Sequence, residues 1–69
     1  MAPLKLRPSD IAFLQRIAAH NEATGKFFPV KELPDTTQRL IRQKLLERDQ
    51  RQAGLHVRIT PRGREAAGL

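Results

Sequence analysis

The sequence predicts a small α+β domain on three observations. Apolar side chains recur at helical spacing between Ile11 and Ala18, two apolar clusters (Leu45-Leu46 and Leu55-Val57-Ile59) flank a polar connection, and Thr60-Pro61 opens a further helical stretch. A helical period and a strand period in one chain of 69 residues leave room for a single domain. A chain of this size buries only about 60% of its unfolded surface, so modest stability is expected.

Leu6 to Thr24 reads as the first helix. Pro8 suits the first turn, where its missing N–H is not needed, and Ser9 and Asp10 put oxygen and negative charge near the helix N-terminus. Ile11, Leu14 and Ala18, with Phe13 and Ile17 beside them, form its core-facing stripe, and Gly25 can close it in the left-handed conformation. Phe27 to Val30 is expected to be an extended edge segment or the approach to one helical turn at Lys31 to Leu33, with both phenylalanines packed in the core. Asp35 to Lys44 reads as a second helix, capped by Asp35 with Gln38 in the reciprocal position, whose inward stripe is Thr37, Leu40, Ile41 and Lys44/Leu45.

Leu45 to Asp49 and Leu55 to Thr60 alternate apolar with polar residues, and Gln50 to Gly54 connects them, so a hairpin with a basic tip is predicted. Leu55, Val57 and Ile59 should face the core, and His56, Arg58 and Thr60 should face solvent or a partner. Thr60 is a good N-cap and Pro61 a good first helical residue, so a last, short helix begins there.

Thirteen lysines and arginines oppose seven acids, a formal net charge of +6. Residues 1–38 hold five basic and four acidic side chains, whereas residues 39–64 hold eight basic and two acidic. Charge gathered in this way creates a positive potential that attracts polyanions, which makes nucleic acid or another acidic partner the expected ligand class. The absence of cysteine removes disulfides and thiolate metal sites. His20 and His56 stand in no metal-ligand spacing, and neither a glycine-rich phosphate loop nor a nucleophile-and-base pattern is present. No metal, cofactor or enzyme activity is therefore expected. The opening "MAPLKLRPSD" lacks the apolar segment of a signal peptide, and no run approaches the ~20 apolar residues that span a bilayer, so a cytoplasmic protein without membrane contact is expected.

The order of elements and three motifs resemble the winged-helix DNA-binding domains, most closely the wing half of MarR-like bacterial regulators. "LIRQKLLER" (Leu40 to Arg48) is similar to the family's "L-x-x-K-G-L-[LV]-x-R", "RITPRGREA" to its "xLTxxGxxx", and "LRPSDIAFL" to its "LTPxQxxxL". Lys44 stands where the family has the glycine that ends the recognition helix, and Arg7 stands where it has threonine. The stretch from Val30 to Arg42 is shorter than a full positioning helix, turn and recognition helix. The last helix is too short for the family's dimerisation arm.

The resemblance implies a small winged helix (helix, short edge segment, recognition-type helix, two-stranded wing, short C-terminal helix) that binds double-stranded DNA as a small transcriptional regulator. The outward face of the second helix carries Gln38, Arg39, Arg42 and Gln43, residue types that make bidentate contacts to base edges. Lys44, Arg48, Arg51, Gln52 and Arg58 are expected at phosphates or the adjacent minor groove. A module of this size buries roughly 600–1,000 Å² on DNA, so a specific site calls for a second copy, as a homodimer, or a partner. The alternative is a phage or mobile-element adaptor or inhibitor that turns the same basic surface on an acidic host protein.

Overall fold

Helix α1 (Pro8–Thr24) starts two residues later than the sequence suggests, because Arg7 is extended (φ −76°, ψ 155°). The Asp10 carboxylate accepts the Arg7 backbone N–H at 3.0 Å, which is the acidic half of a capping box. The other half is missing, since a guanidinium has donors only. Gly25 closes the helix at φ 68°, its N–H donating to the Asn21 carbonyl at 2.8 Å. A computed structural model describes residues 5–69. It runs on from α1 through β1 (Phe28–Pro29), α2 (Pro34–Arg42), β2 (Leu46–Arg48), β3 (His56–Ile59) and α3 (Pro61–Ala66), an α+β arrangement with one antiparallel sheet in the order β1-β3-β2.

The edge segment is thus a third strand, and the hairpin is not a free two-stranded wing. Phe28 pairs with Val57 and Pro29 with His56, so β3, the last strand in sequence, is central. Proline is tolerated there because β1 is an edge. Beyond its end, the Asn21 carboxamide extends the ladder: it accepts the Ile59 N–H at 2.8 Å and donates to the Lys26 carbonyl at 2.9 Å.

No helical turn forms at Lys31 to Leu33, where Leu33 takes a left-handed conformation (φ 55°) and Pro34 begins α2. Asp35 is therefore not the cap but the second helical residue, and the helix start has no side-chain cap. Proline's fixed φ suits the first helical position, which moves the boundary forward by one residue. The helix ends in a Schellman motif: the N–H of Lys44 reaches the Ile41 carbonyl and that of Leu45 the Leu40 carbonyl, both at 3.0 Å. The left-handed position of this motif is Lys44 itself, at φ 65°. Lys44 is exposed rather than part of the inward stripe, while Leu40 and Leu45, the motif's apolar pair, are fully buried.

Leu46 lies opposite Ile59, Glu47 opposite Arg58 and Arg48 opposite Val57. The core face of the sheet is covered by α1, and Leu14, Ile17, Leu40, Leu45 and Val57 are completely buried. Phe28 packs edge-on against Phe13, with ring centres 6.3 Å apart. Phe27, one residue away, is carried to the opposite sheet face by strand alternation and lies under Arg58 rather than in the core.

Helix α3 docks against α1 at its C-terminal end, where the Ala67 carbonyl accepts the Gln15 amide at 3.1 Å, and against the hairpin corner through one threonine and one glycine. The Thr60 hydroxyl accepts the Gly63 N–H at 2.9 Å and donates to the Lys44 carbonyl at 2.6 Å, and the Thr60 N–H donates to the Leu45 carbonyl at 3.1 Å. Gly63 then lies against the same corner, where a Cβ would overlap the Leu45 carbonyl oxygen and sit 2.8 Å from the Ile59 Cγ1. Among the described residues, no helix is long and apolar enough to cross a membrane.

Candidate nucleic-acid interface

Helix α2 turns Gln38 and Arg42 to solvent, one turn apart on the same face. Arg39 is not free on that face. Its guanidinium donates to the Asp10 carboxylate at 2.8 Å, with Asp10 4% exposed and Arg39 42% exposed, so it ties α2 to the first turn of α1. A buried carboxylate is costly unless paired, and Arg39 supplies the pairing cation. Gln43 caps the C-terminus of α2 and is half-buried, with its Oε1 enclosed and without a hydrogen-bond partner. The outward base-reading face expected from Gln38, Arg39, Arg42 and Gln43 is therefore reduced to Gln38 and Arg42.

The hairpin residues divide in the same way. Arg58 bridges Glu47 at 2.8 Å and lies 5.0 Å from the centre of the Phe27 ring, so its charge already has an acid and an aromatic partner. Both members of that ion pair are exposed, where such pairs contribute little to stability. Gln52 is folded onto the tip, its amide donating to the Asp49 carboxylate at 2.7 Å while the Arg51 N–H donates to the other oxygen at 2.9 Å. The Gln52 amide first, and then the Arg51 N–H, hold the Asp49 carboxyl below its ordinary value of 3.8.

Of the cations expected at the interface, Arg42, Lys44, Arg48 and Arg51 are exposed and enter no ion pair among the described residues. Lys44 and Arg48 share a concavity of about 330 Å³ between the end of α2 and β2. Arg48 and Arg51 share the next, of about 340 Å³, along the hairpin. Arg48 also reaches the Gly54 carbonyl, but at 3.4 Å, a long contact that leaves most of its donors free.

His20 and His56 line one shared concavity of about 590 Å³ with Lys26, Phe27 and Gln52. His20 stands edge-on to Phe28 at 5.3 Å, and no group of three or more His, Asp or Glu side chains is gathered for a metal among the described residues.

Asn21 and the Asp10–Arg39 tether escaped the sequence reading. The first had a signal, since Asn21 continues the Leu14, Ile17 and Ala18 stripe at helical spacing and so had to face the interior. The tether had none, because its partners lie 29 positions apart. No protein-family model, curated protein or solved structure matches the chain.

Proposed function

We propose that this chain is a compact winged-helix module that binds double-stranded DNA and serves as a small regulator of transcription. The observation that carries the reading is the set of unpaired cations Lys44, Arg48 and Arg51 along two adjoining concavities of the hairpin, with Arg42 exposed in the last turn of α2. A duplex presents charge at matching density on both sides of its grooves, and release of its counterions favours such a set. Helix α2 enters the major groove with Gln38 and Arg42 toward the bases, and the hairpin grips the backbone. Arg39, Gln43 and Gln52 are then engaged by Asp10, the helix cap and Asp49, and Arg58, which lines the same hollow as Arg48 and Arg51, is engaged by Glu47.

The withdrawal of Arg39 and Gln43 favours one competing reading, an acidic protein surface gripped by the same cations. Titration of random-sequence duplex between about 50 and 200 mM salt separates the two, because phosphate contacts weaken affinity steeply and linearly in log salt. No duplex binding near 50 mM salt would overturn the DNA reading and leave the acidic protein surface as the partner.

A further inference from the structure

We infer that Lys44 and Arg48 form the seat for one backbone phosphate of the duplex, and that Lys44 is kept in a left-handed conformation to serve it at the expense of stability. The inference rests on the duplex-binding reading above. A lysine at φ 65° is disfavoured by its Cβ, and glycine adopts the same conformation without that penalty. Nothing structural offsets the strain through the side chain, which is exposed and forms no ion pair or hydrogen bond among the described residues. The fold uses only the backbone of this residue. Its N–H is held by the Ile41 carbonyl at 3.0 Å and its carbonyl by the Thr60 hydroxyl at 2.6 Å.

Clamped at both ends, the backbone fixes the direction in which the side chain leaves. It leaves into the concavity that Arg48, Gln50 and Glu47 also line. The acid there, Glu47, is already bridged by Arg58 at 2.8 Å, so the two cations face one hollow with no anion of their own. Two like charges in one hollow are best satisfied by an anion with several acceptor oxygens, and a phosphodiester offers a compact target to the ammonium and a planar one to the guanidinium.

The test is a comparison of wild type with Lys44→Gly and Lys44→Arg in the full chain. Lys44→Gly should melt at or above the wild-type temperature, yet bind every duplex about tenfold more weakly near 50 mM salt, with a salt slope reduced by about one. Lys44→Arg should retain wild-type affinity. Inorganic phosphate at matched ionic strength should not displace the duplex, and displacement would make this a free-anion site and overturn the assignment. Unchanged affinity in Lys44→Gly, or a lowered melting temperature, would also overturn it. Absence of binding by the wild type would instead remove the reading on which it rests, so the two failures are told apart in one titration.

Discussion

Arg39 and Arg42 lie on the same short helix, but only Arg39 faces an acid. Arg39→Ala strands the Asp10 carboxylate in the interior with the Arg7 N–H as its remaining partner. Half-exposure of the arginine discounts the full penalty for breaking a buried pair, which leaves a loss of about 1 to 3 kcal/mol. Thermal denaturation should show that loss for Arg39→Ala and almost none for Arg42→Ala. Duplex binding should show the reverse order, with Arg42→Ala costing roughly 1 to 3 kcal/mol on a preferred site. Asp49 supplies a second test at this scale. Its carboxyl is held below 3.8 in the folded tip, so its stabilising contribution is complete above 3.8 and is lost as pH falls through the lowered value. A carboxyl titration followed by NMR should place the Asp49 midpoint below 3.8 in the wild type and move it back up in Gln52→Ala. An Asp49 midpoint that ignores the substitution would show that the amide contact does not hold in solution.

The hairpin and α3 share one corner, and their substitutions divide by which side of the sheet they touch. Ile59→Ala removes a buried side chain from the central strand and should cost about 2 to 5 kcal/mol, enough to unfold much of so small a domain. Arg51→Ala, at the exposed tip, should leave the melting temperature close to that of the wild type. Gly63→Ala forces a Cβ into the Leu45 carbonyl, and about 1 to 3 kcal/mol of destabilisation is expected from chemical denaturation. A melting curve for Gly63→Ala that matches wild type would mean that α3 does not dock as described. These elements were legible because their signals are local. The Leu14 to Ala18 spacing, Gly25, the alternation Leu55-Val57-Ile59 and the Thr60-Pro61 start each depend on a few neighbouring residues. The side of the sheet taken by Phe27 was not, because it follows from pairing with residues 56–59 nearly thirty positions on. Nor was the Asp10–Arg39 bridge, which strips one arginine from a helix face that periodicity alone presents as uniformly exposed. The candidate site was thus readable as a charge surplus, while its division into free and occupied cations needed tertiary contacts.

Among the cations of α2 and the hairpin, the charges sort by depth: Arg39 reaches inward to Asp10, Arg58 pairs across the outer sheet face, and Arg42, Lys44, Arg48 and Arg51 stay uncommitted. Affinity for duplex should therefore fall between about 50 and 200 mM salt, with the Lys44–Arg48 seat and Arg51 contributing roughly two phosphate contacts to the slope, near −0.9 per contact. Arg48→Ala and Arg51→Ala should each flatten that slope by about one, whereas Arg58→Ala should leave it nearly unchanged. A slope that responds equally to all three would show that Arg58 abandons Glu47 on binding. The order of the strands has a further consequence, for the birth of the protein. Its central strand is the last to leave the ribosome, and both outer strands, the α1 core face and Asn21 wait unsatisfied until residues 56–59 emerge. Sheet formation is then a late event that closes both strand pairings together, so a nascent chain halted before His56 should expose Leu14, Ile17 and Leu46 to chaperones.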